Sequence, residues 1–196
     1  CLTGRLPLTE PMDAEQIERI DSASLDILEE VGVVFRDDIA LEDWRRAGAD
    51  VRGERVHLDR ALVKSLISTI PSTITLHARN PEKSVTLGGR QSIFVPMTGA
   101  PYLRDLDDVR RAPTLDDLAT FHKLSHMLPA MHSSAHHIVE PMDHPISHRH
   151  LRITHSSILH SDKTFMGMTT SGRNAEDVLD MACLLYTSPS PRDLST

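Results

Sequence analysis

The sequence predicts an α/β fold in which an N-terminal region of helices and hairpins precedes alternating strands and helices. A short apolar run at residues 92–95 ends in a loop that contains Pro96, Gly99 and Pro101. After this loop, segments with strand character alternate with segments of helical spacing. This alternation is typical of β/α units, whose functional residues follow the carboxyl ends of the strands.

The N-terminal region, residues 8–90, is predicted to contain three helices and several antiparallel hairpins. Asp13 and Gln16 have the spacing of a capping box at the start of the first helix. The helices are predicted over residues 13–30, 38–47 and 59–70. Strands are predicted over residues 33–36, 73–77 and 84–87, and residues 51–58 are predicted to form a hairpin that turns at Arg52-Gly53-Glu54. A further β segment at residues 92–95 follows this region.

Residues 91–183 are predicted to form about three β/α units. The strands are predicted at residues 92–96, 131–139 and 164–169. The helices are predicted at 115–127 after a Thr114 cap, at 145–161, and from 175 onward after an Asn174 cap. Three units do not close a (β/α)8 barrel, which needs about 250 residues. A doubly wound sheet would also need more strands to bury both faces, so we expect the sequence to be the N-terminal part of a longer protein.

Both ends of the sequence are predicted to be unnatural. The chain begins with Cys1, which indicates an incomplete translation or a trimmed protein. Residues 184–196 are rich in serine and proline and resemble translated sequencing adapter. The alternative for this tail is natural disorder. We expect it to be non-native and assign it no function.

The bulk composition excludes several classes of protein. The net charge is −7, and no basic run is longer than Arg110-Arg111, so the footprint of a nucleic-acid-binding protein is absent. The two cysteines, Cys1 and Cys183, do not indicate a disulfide framework. No apolar run is long enough for a membrane span and no signal peptide is visible, so we expect a cytoplasmic protein.

Four segments of the chain resemble the trimethylamine methyltransferase family. They are residues 15–33, residues 75–82 with the sequence TLHARNPE, residues 99–106 with the sequence GAPYLRDL, and residues 163–167 with the following Ser171-Gly172. The resemblance covers roughly residues 8–182. It implies a TIM barrel that moves a methyl group from trimethylamine or a related methylated or quaternary amine to a corrinoid.

The resemblance also implies where the cofactor is held. No cofactor is expected on this chain itself, because the corrinoid belongs to a separate partner protein. The chain is therefore expected to be a fragment of a cytoplasmic enzyme and inactive alone. Whether the complete protein forms a homo-oligomer stays open.

The candidate site residues follow the ends of the predicted strands. A methylated ammonium ion favours aromatic faces and a nearby carboxylate, which indicates Tyr102 and Glu140. Gly99 would allow close approach of a bulky partner such as a corrinoid ring. Thr169 is placed to donate a hydrogen bond to a substrate. Each also has an ordinary structural role open to it: loop packing, a solvated loop position, a turn and a helix cap.

Histidine is concentrated in one stretch, because ten of the twelve fall between His122 and His160. We expect most of them on the surface. His136 and His137, at the end of the second predicted strand, are the candidates for a proton donor or ligand. Two alternatives remain open: a zinc-dependent barrel hydrolase using these histidines, and a non-catalytic amine-binding relative.

Overall fold

The computed structural model describes residues 2–3 and 10–185, so most of the predicted 184–196 tail lies outside the described residues. Two compact units form: one contains Arg5–Ser72, and the other contains Cys1–Gly4 with Thr73–Thr196. The predicted division between residues 90 and 91 stays a prediction. The elements are β1 (Leu2–Thr3), α1 (Ala14–Asp26), β2 (Val33–Val34), α2 (Asp38–Ala47), β3 (Asp50–Arg52), β4 (Arg55–His57), α3 (Arg60–Ser68), β5 (Thr73–Leu76), β6 (Val85–Gly88), β7 (Gln91–Ser92), β8 (Leu103–Arg104), β9 (Arg110–Arg111), α4 (Leu115–Met127), α5 (Ile146–His160) and α6 (Gly172–Leu185).

Helix α1 begins as its sequence predicts. The Asp13 side chain accepts a hydrogen bond from the Gln16 amide, and the Gln16 side chain accepts one from the Asp13 amide. This reciprocal capping satisfies two donors that a helix start leaves unpaired. The helix continues into a π-helical turn, Ile27–Val31, and ends at Gly32, whose φ of 70° suits glycine.

The Arg5–Ser72 unit is built around a small antiparallel sheet. Its strand order is β2-β4-β3, and Val51 pairs with Val56 across the predicted hairpin. A cluster of Leu41, Val56 and Leu58 forms the buried core. Phe35 and Trp44 pack against it with ring centroids 5.7 Å apart. The sheet therefore has one apolar face covered by α2 and α3 side chains.

The second unit begins with antiparallel pairs. β5 pairs with β6 as predicted, β1 pairs with β7, and β8 with β9. Helix α4 starts at the predicted cap, where Thr114 and Asp117 exchange hydrogen bonds. Helix α6 starts at Gly172, which is earlier than predicted. The Ser171 hydroxyl accepts a hydrogen bond from the Asn174 amide, so Ser171 caps this helix in place of Asn174.

The three predicted parallel strands are not regular strands, which corrects the sequence prediction. The segments at residues 93–100, 131–140 and 163–168 nevertheless hydrogen-bond side by side. Single parallel bridges join Ala100 to Val139 and Ser133 to Thr164. Ala135 has a φ of 53° in the middle of the second segment. That left-handed conformation interrupts an extended ladder, and it is uncommon for a residue with a side chain.

Several apolar side chains are more exposed than the pattern predicts. Phe94, in the apolar run at residues 92–95, is 52% exposed. Ile17 and Ile20 on α1 are each more than half exposed. Within residues 2–3 and 10–185, no helix combines the length and apolar character needed to cross a lipid bilayer. The described chain is a mixed helix and strand structure, in agreement with the predicted α/β class.

Candidate functional site

Four of the predicted site residues lie where the segments 93–100 and 131–140 hydrogen-bond to each other. They are Gly99, His136, His137 and Glu140. The Gly99 amide donates to the His137 carbonyl at 2.7 Å, and the Glu140 amide donates to the Ala100 carbonyl at 2.9 Å. Gly99 has a φ of 79° and is exposed. A Cβ atom at this position would lie 3.4 Å from Nε2 of His137. The absence of a side chain at Gly99 therefore keeps the ring of His137 accessible.

His136 and His137 form a hydrogen-bonded pair of rings. Their Nδ1 atoms lie 2.9 Å apart, and the rings meet edge to face with centroids 4.0 Å apart. Such a contact requires one Nδ1 to donate and the other to accept. His136 is buried, and its Nε2 has no hydrogen-bond partner. Burial, with the neighbouring His137 and His122, lowers the pKa of His136 to about 4.

Glu140 brings a carboxylate to the open side of this pair. One carboxylate oxygen lies 4.0 Å from Nε2 of His137, and the other accepts a hydrogen bond of 2.7 Å from Arg149. Arg149 also donates twice to the carbonyl of His144. Because these side chains are largely shielded from water, the contact between Arg149 and Glu140 fixes the carboxylate in position.

His122 on α4 hydrogen-bonds to the backbone of the same segment. It is fully buried; Nε2 donates to the His136 carbonyl at 2.9 Å, and Nδ1 accepts from the Ser156 hydroxyl at 3.0 Å. A carbonyl can only accept, so the proton on Nε2 follows from the geometry. Burial is the main cause that lowers the pKa of His122 to about 4. The ring is therefore neutral at pH 7 and ties α4 and α5 to His136.

The other two predicted site residues have different surroundings. Tyr102 is half exposed at the start of the β8–β9 hairpin, and the Arg110 guanidinium lies 3.9 Å from its ring centroid. One face of this ring is thus already occupied by a cation. Thr169 is exposed beside Thr170, whose hydroxyl accepts a hydrogen bond from the Asn174 side chain. The geometry near Thr169 serves the start of α6.

The ten histidines between His122 and His160 differ in burial. His122, His136 and His150 are buried, and the other seven are partly or fully exposed. His150 contacts Asp177 through Nε2 at 2.8 Å. In the part of the chain that the structure describes, no three His, Cys, Asp or Glu side chains converge as metal ligands would. The zinc-hydrolase alternative therefore gains no geometric support.

Three residues that support the site were missed by sequence reasoning. They are His122, Arg149 and Lys163. A signal existed for His122, which shares a helix face with the buried Leu118 and Ser125. Lys163 is buried, and its ammonium donates to the carbonyls of Ser125, Leu128 and Met131 at 2.6–2.8 Å. No local pattern in the sequence distinguishes Arg149 or Lys163 from surface cations.

Comparisons with known proteins agree with the resemblance in the sequence. The family model described as trimethylamine methyltransferase (MTTB) matches residues 1–188. A glycine betaine methyltransferase from Desulfitobacterium hafniense (strain Y51) is 41% identical over 181 residues, which are 92% of this chain and 38% of that protein. A proline betaine:corrinoid methyltransferase from Eubacterium limosum is 32% identical over 117 residues, which are 58% of this chain and 23% of that protein.

A further relative extends the comparison to a simpler amine. The trimethylamine methyltransferase MttB of Desulfitobacterium hafniense (strain DSM 10664 / DCB-2) is 26% identical over 175 residues. Those residues are 86% of this chain and 34% of that protein. The chain thus spans less than two fifths of the length of each of these relatives.

Proposed function

Because this chain belongs to the trimethylamine methyltransferase family, we propose that it is part of an enzyme that moves a methyl group from a methylated amine to a corrinoid. The corrinoid is held by a separate partner protein and not by this chain. The observation that carries the proposal is the 41% identity to a glycine betaine methyltransferase along 92% of this chain.

The substrate class that we propose is a quaternary betaine. Identity is 41% to the glycine betaine enzyme and 32% to the proline betaine enzyme, but 26% to the trimethylamine enzyme. A betaine carries a quaternary ammonium and a carboxylate, whereas trimethylamine has no carboxylate.

The scaffold that we propose is the opening of a TIM barrel, with residues 8–90 preceding the first β/α units at residues 91–183. The parallel bridges between Ala100 and Val139 and between Ser133 and Thr164 support this arrangement. Each of the three hydrogen-bonded segments is followed by a helix, namely α4, α5 and α6. In such a barrel, Gly99, His137 and Glu140 would lie at the carboxyl ends of the strands, where substrates bind.

The roles that we propose for the site residues follow from their chemistry. The Glu140 carboxylate attracts the ammonium charge, and the free face of the Tyr102 ring offers a cation–π contact. Gly99 leaves room for a bulky corrinoid, whose reduced form would supply the electron pair that receives the methyl group. His136, His137 and Thr169 complete the polar lining. The chain itself then needs no strong nucleophile.

A methyl-transfer assay tests this proposal. The full-length protein that carries this sequence is mixed with a reduced corrinoid protein and with glycine betaine, proline betaine or trimethylamine. We expect methylation of the corrinoid with a betaine, at a kcat/KM at least about tenfold above that for trimethylamine. The 196-residue chain alone should be inactive. Transfer from trimethylamine alone would overturn the betaine assignment, and no transfer from any of the three would overturn the function.

A further inference from the structure

The contacts among His136, His137 and Glu140 suit a proton transfer that follows the methyl transfer. We propose that His137 is the catalytic residue that gives a proton to the tertiary amine left after methyl transfer, and that His136 and Glu140 position its ring. This inference rests on the proposed function. It assigns a proton-transfer role that a site for quaternary ammonium binding alone would not require.

The pair of histidines can hold only one extra proton. With both Nδ1 atoms 2.9 Å apart, a proton on each would place two donors face to face. His136 is 8% exposed and its Nε2 has no hydrogen-bond partner, so a charge on its ring is disfavoured. The extra proton therefore lies on His137, whose Nε2 faces the Glu140 carboxylate at 4.0 Å.

The groups around the two histidines favour the extra proton on His137 and not on His136. His122 donates from α4 to the His136 carbonyl, so it fixes that residue without adding a charge beside it. Arg149 from α5 contacts Glu140 on the oxygen away from His137. Glu140 is thus anchored on one side and free to compensate a charged His137 on the other. The first segment contributes only the backbone of Gly99 here.

The proton balance of the transfer requires such a donor. When the N–CH3 bond of a quaternary ammonium breaks, the bonding pair stays on nitrogen, and the methyl carbon bonds to the electron pair of the reduced corrinoid, which loses two electrons. The product is a neutral tertiary amine, more basic than imidazole by about four pKa units. Its lone pair takes the Nε2 proton of charged His137, which becomes neutral and later regains a proton from water.

Protonation has a consequence for the direction of the reaction. A free lone pair on the product amine could take the methyl group back, whereas an ammonium has no lone pair to do so. After the proton moves, neutral His137 accepts a hydrogen bond from the new N–H. A tertiary ammonium has this donor and a quaternary ammonium does not, so affinity for the two ions separates this role from charge attraction alone.

The test compares binding of N,N-dimethylglycine and glycine betaine to the full-length protein without any corrinoid. We expect His137→Asn to weaken N,N-dimethylglycine about tenfold while glycine betaine changes less than about twofold, because one charge-assisted hydrogen bond is lost.

Two further variants keep the result decisive. His137→Gln places an amide oxygen near the position of Nε2, so it should restore the affinity for the tertiary ion that His137→Asn loses. His155→Asn, on the exposed face of α5, should behave as the unmodified protein does. Thermal unfolding confirms that each variant is folded.

The outcomes separate this inference from the proposed function. Equal weakening of both ions in His137→Asn, or no change in either, would overturn the proton-donor role while methyl transfer by the unmodified protein kept the proposed function. If the unmodified protein neither binds the two ions nor transfers a methyl group, both conclusions fall together.

Discussion

Each of the two compact units of this chain has a different kind of core. In the described part of Arg5–Ser72, every buried side chain is apolar, with Leu41, Val56 and Leu58 at the centre. In the second unit, an apolar cluster around Leu118 and Ile153 is surrounded by buried polar groups. Those groups are His122, Ser125, Ser133, Ser134, His136, His150, Thr154, Ser156, Ser157, Ser161, Lys163 and Thr164.

This difference follows from the secondary structure that each core supports. A regular hairpin such as β3–β4 satisfies its own backbone groups, so its neighbours can be apolar. The irregular segments at residues 93–100, 131–140 and 163–168 leave carbonyls that side chains must satisfy. Serines and His122 donate to carbonyls of these segments, and Lys163 donates to Met131 and to two carbonyls at the end of α4. The unit that bears the candidate site is therefore held by hydrogen bonds that apolar substitution would break.

The largest expected effect comes from Lys163→Met, which sharpens this comparison. The substitution keeps an unbranched side chain that is one atom shorter, and it removes the donor to three carbonyls, of Ser125, Leu128 and Met131. Hydrogen bonds to a charged group contribute about 1.5 kcal/mol each, so we expect the free energy of unfolding of the second unit to fall by about 4 kcal/mol. Urea unfolding followed by circular dichroism measures this change.

A lysine on the surface of the same unit provides the matched control. Lys123 on α4 is exposed, and Lys123→Met should change the free energy of unfolding by less than about 0.5 kcal/mol. If Lys163→Met were as mild as this control, the three carbonyls would not depend on the ammonium, and the contrast between the two cores would lose its main support.

The apolar core of the first unit gives the next effect. Leu41 is buried beside Val56 and Leu58, and Leu41→Ala removes three carbon atoms and leaves a cavity. We expect a loss of about 3 kcal/mol in the free energy of unfolding, equal at pH 7.5 and pH 5 because no buried titratable group lies in this described core. A loss that depended strongly on pH would contradict the assignment of this core as apolar.

The local features of the fold were predictable, and the long-range ones were not. The starts of α1 and α4 were predicted at Asp13 and Thr114, because capping residues act on amides within three positions. The β3–β4 and β5–β6 pairs were predicted for the same reason. The segment around Ala135 was predicted as a strand, since apolar patterning contains no information about a left-handed residue held by distant partners.

The site shows the same limit. Gly99, His137 and Glu140 were predicted as candidates, and the structure brings them together through backbone hydrogen bonds between segments about 40 residues apart. Arg149, which fixes Glu140, could not be identified from sequence, because it lies on a helix whose rotation only the fold determines. His122 was predicted with the surface histidines, yet its position opposite Ser156 buries it completely.

Hydrogen exchange at pH 7.5 and pH 5 most directly tests the claim that buried neutral polar groups hold the site-bearing unit. Burial lowers the pKa of His122 to about 4, whereas an unfolded histidine has a pKa of about 6.5. The unfolded chain binds more protons between these values, so stability is retained above about pH 6.5 and falls as the pH decreases. The loss from His122 alone is about 2 kcal/mol at pH 5.

After correction for intrinsic exchange rates, we predict that acid lowers the protection of α4 and α5 by about 2 kcal/mol or more, with His136 acting in the same direction. Amides of α2 and of the β3–β4 hairpin should keep their protection. Equal loss in both units, or no loss in α4 and α5, would contradict the account.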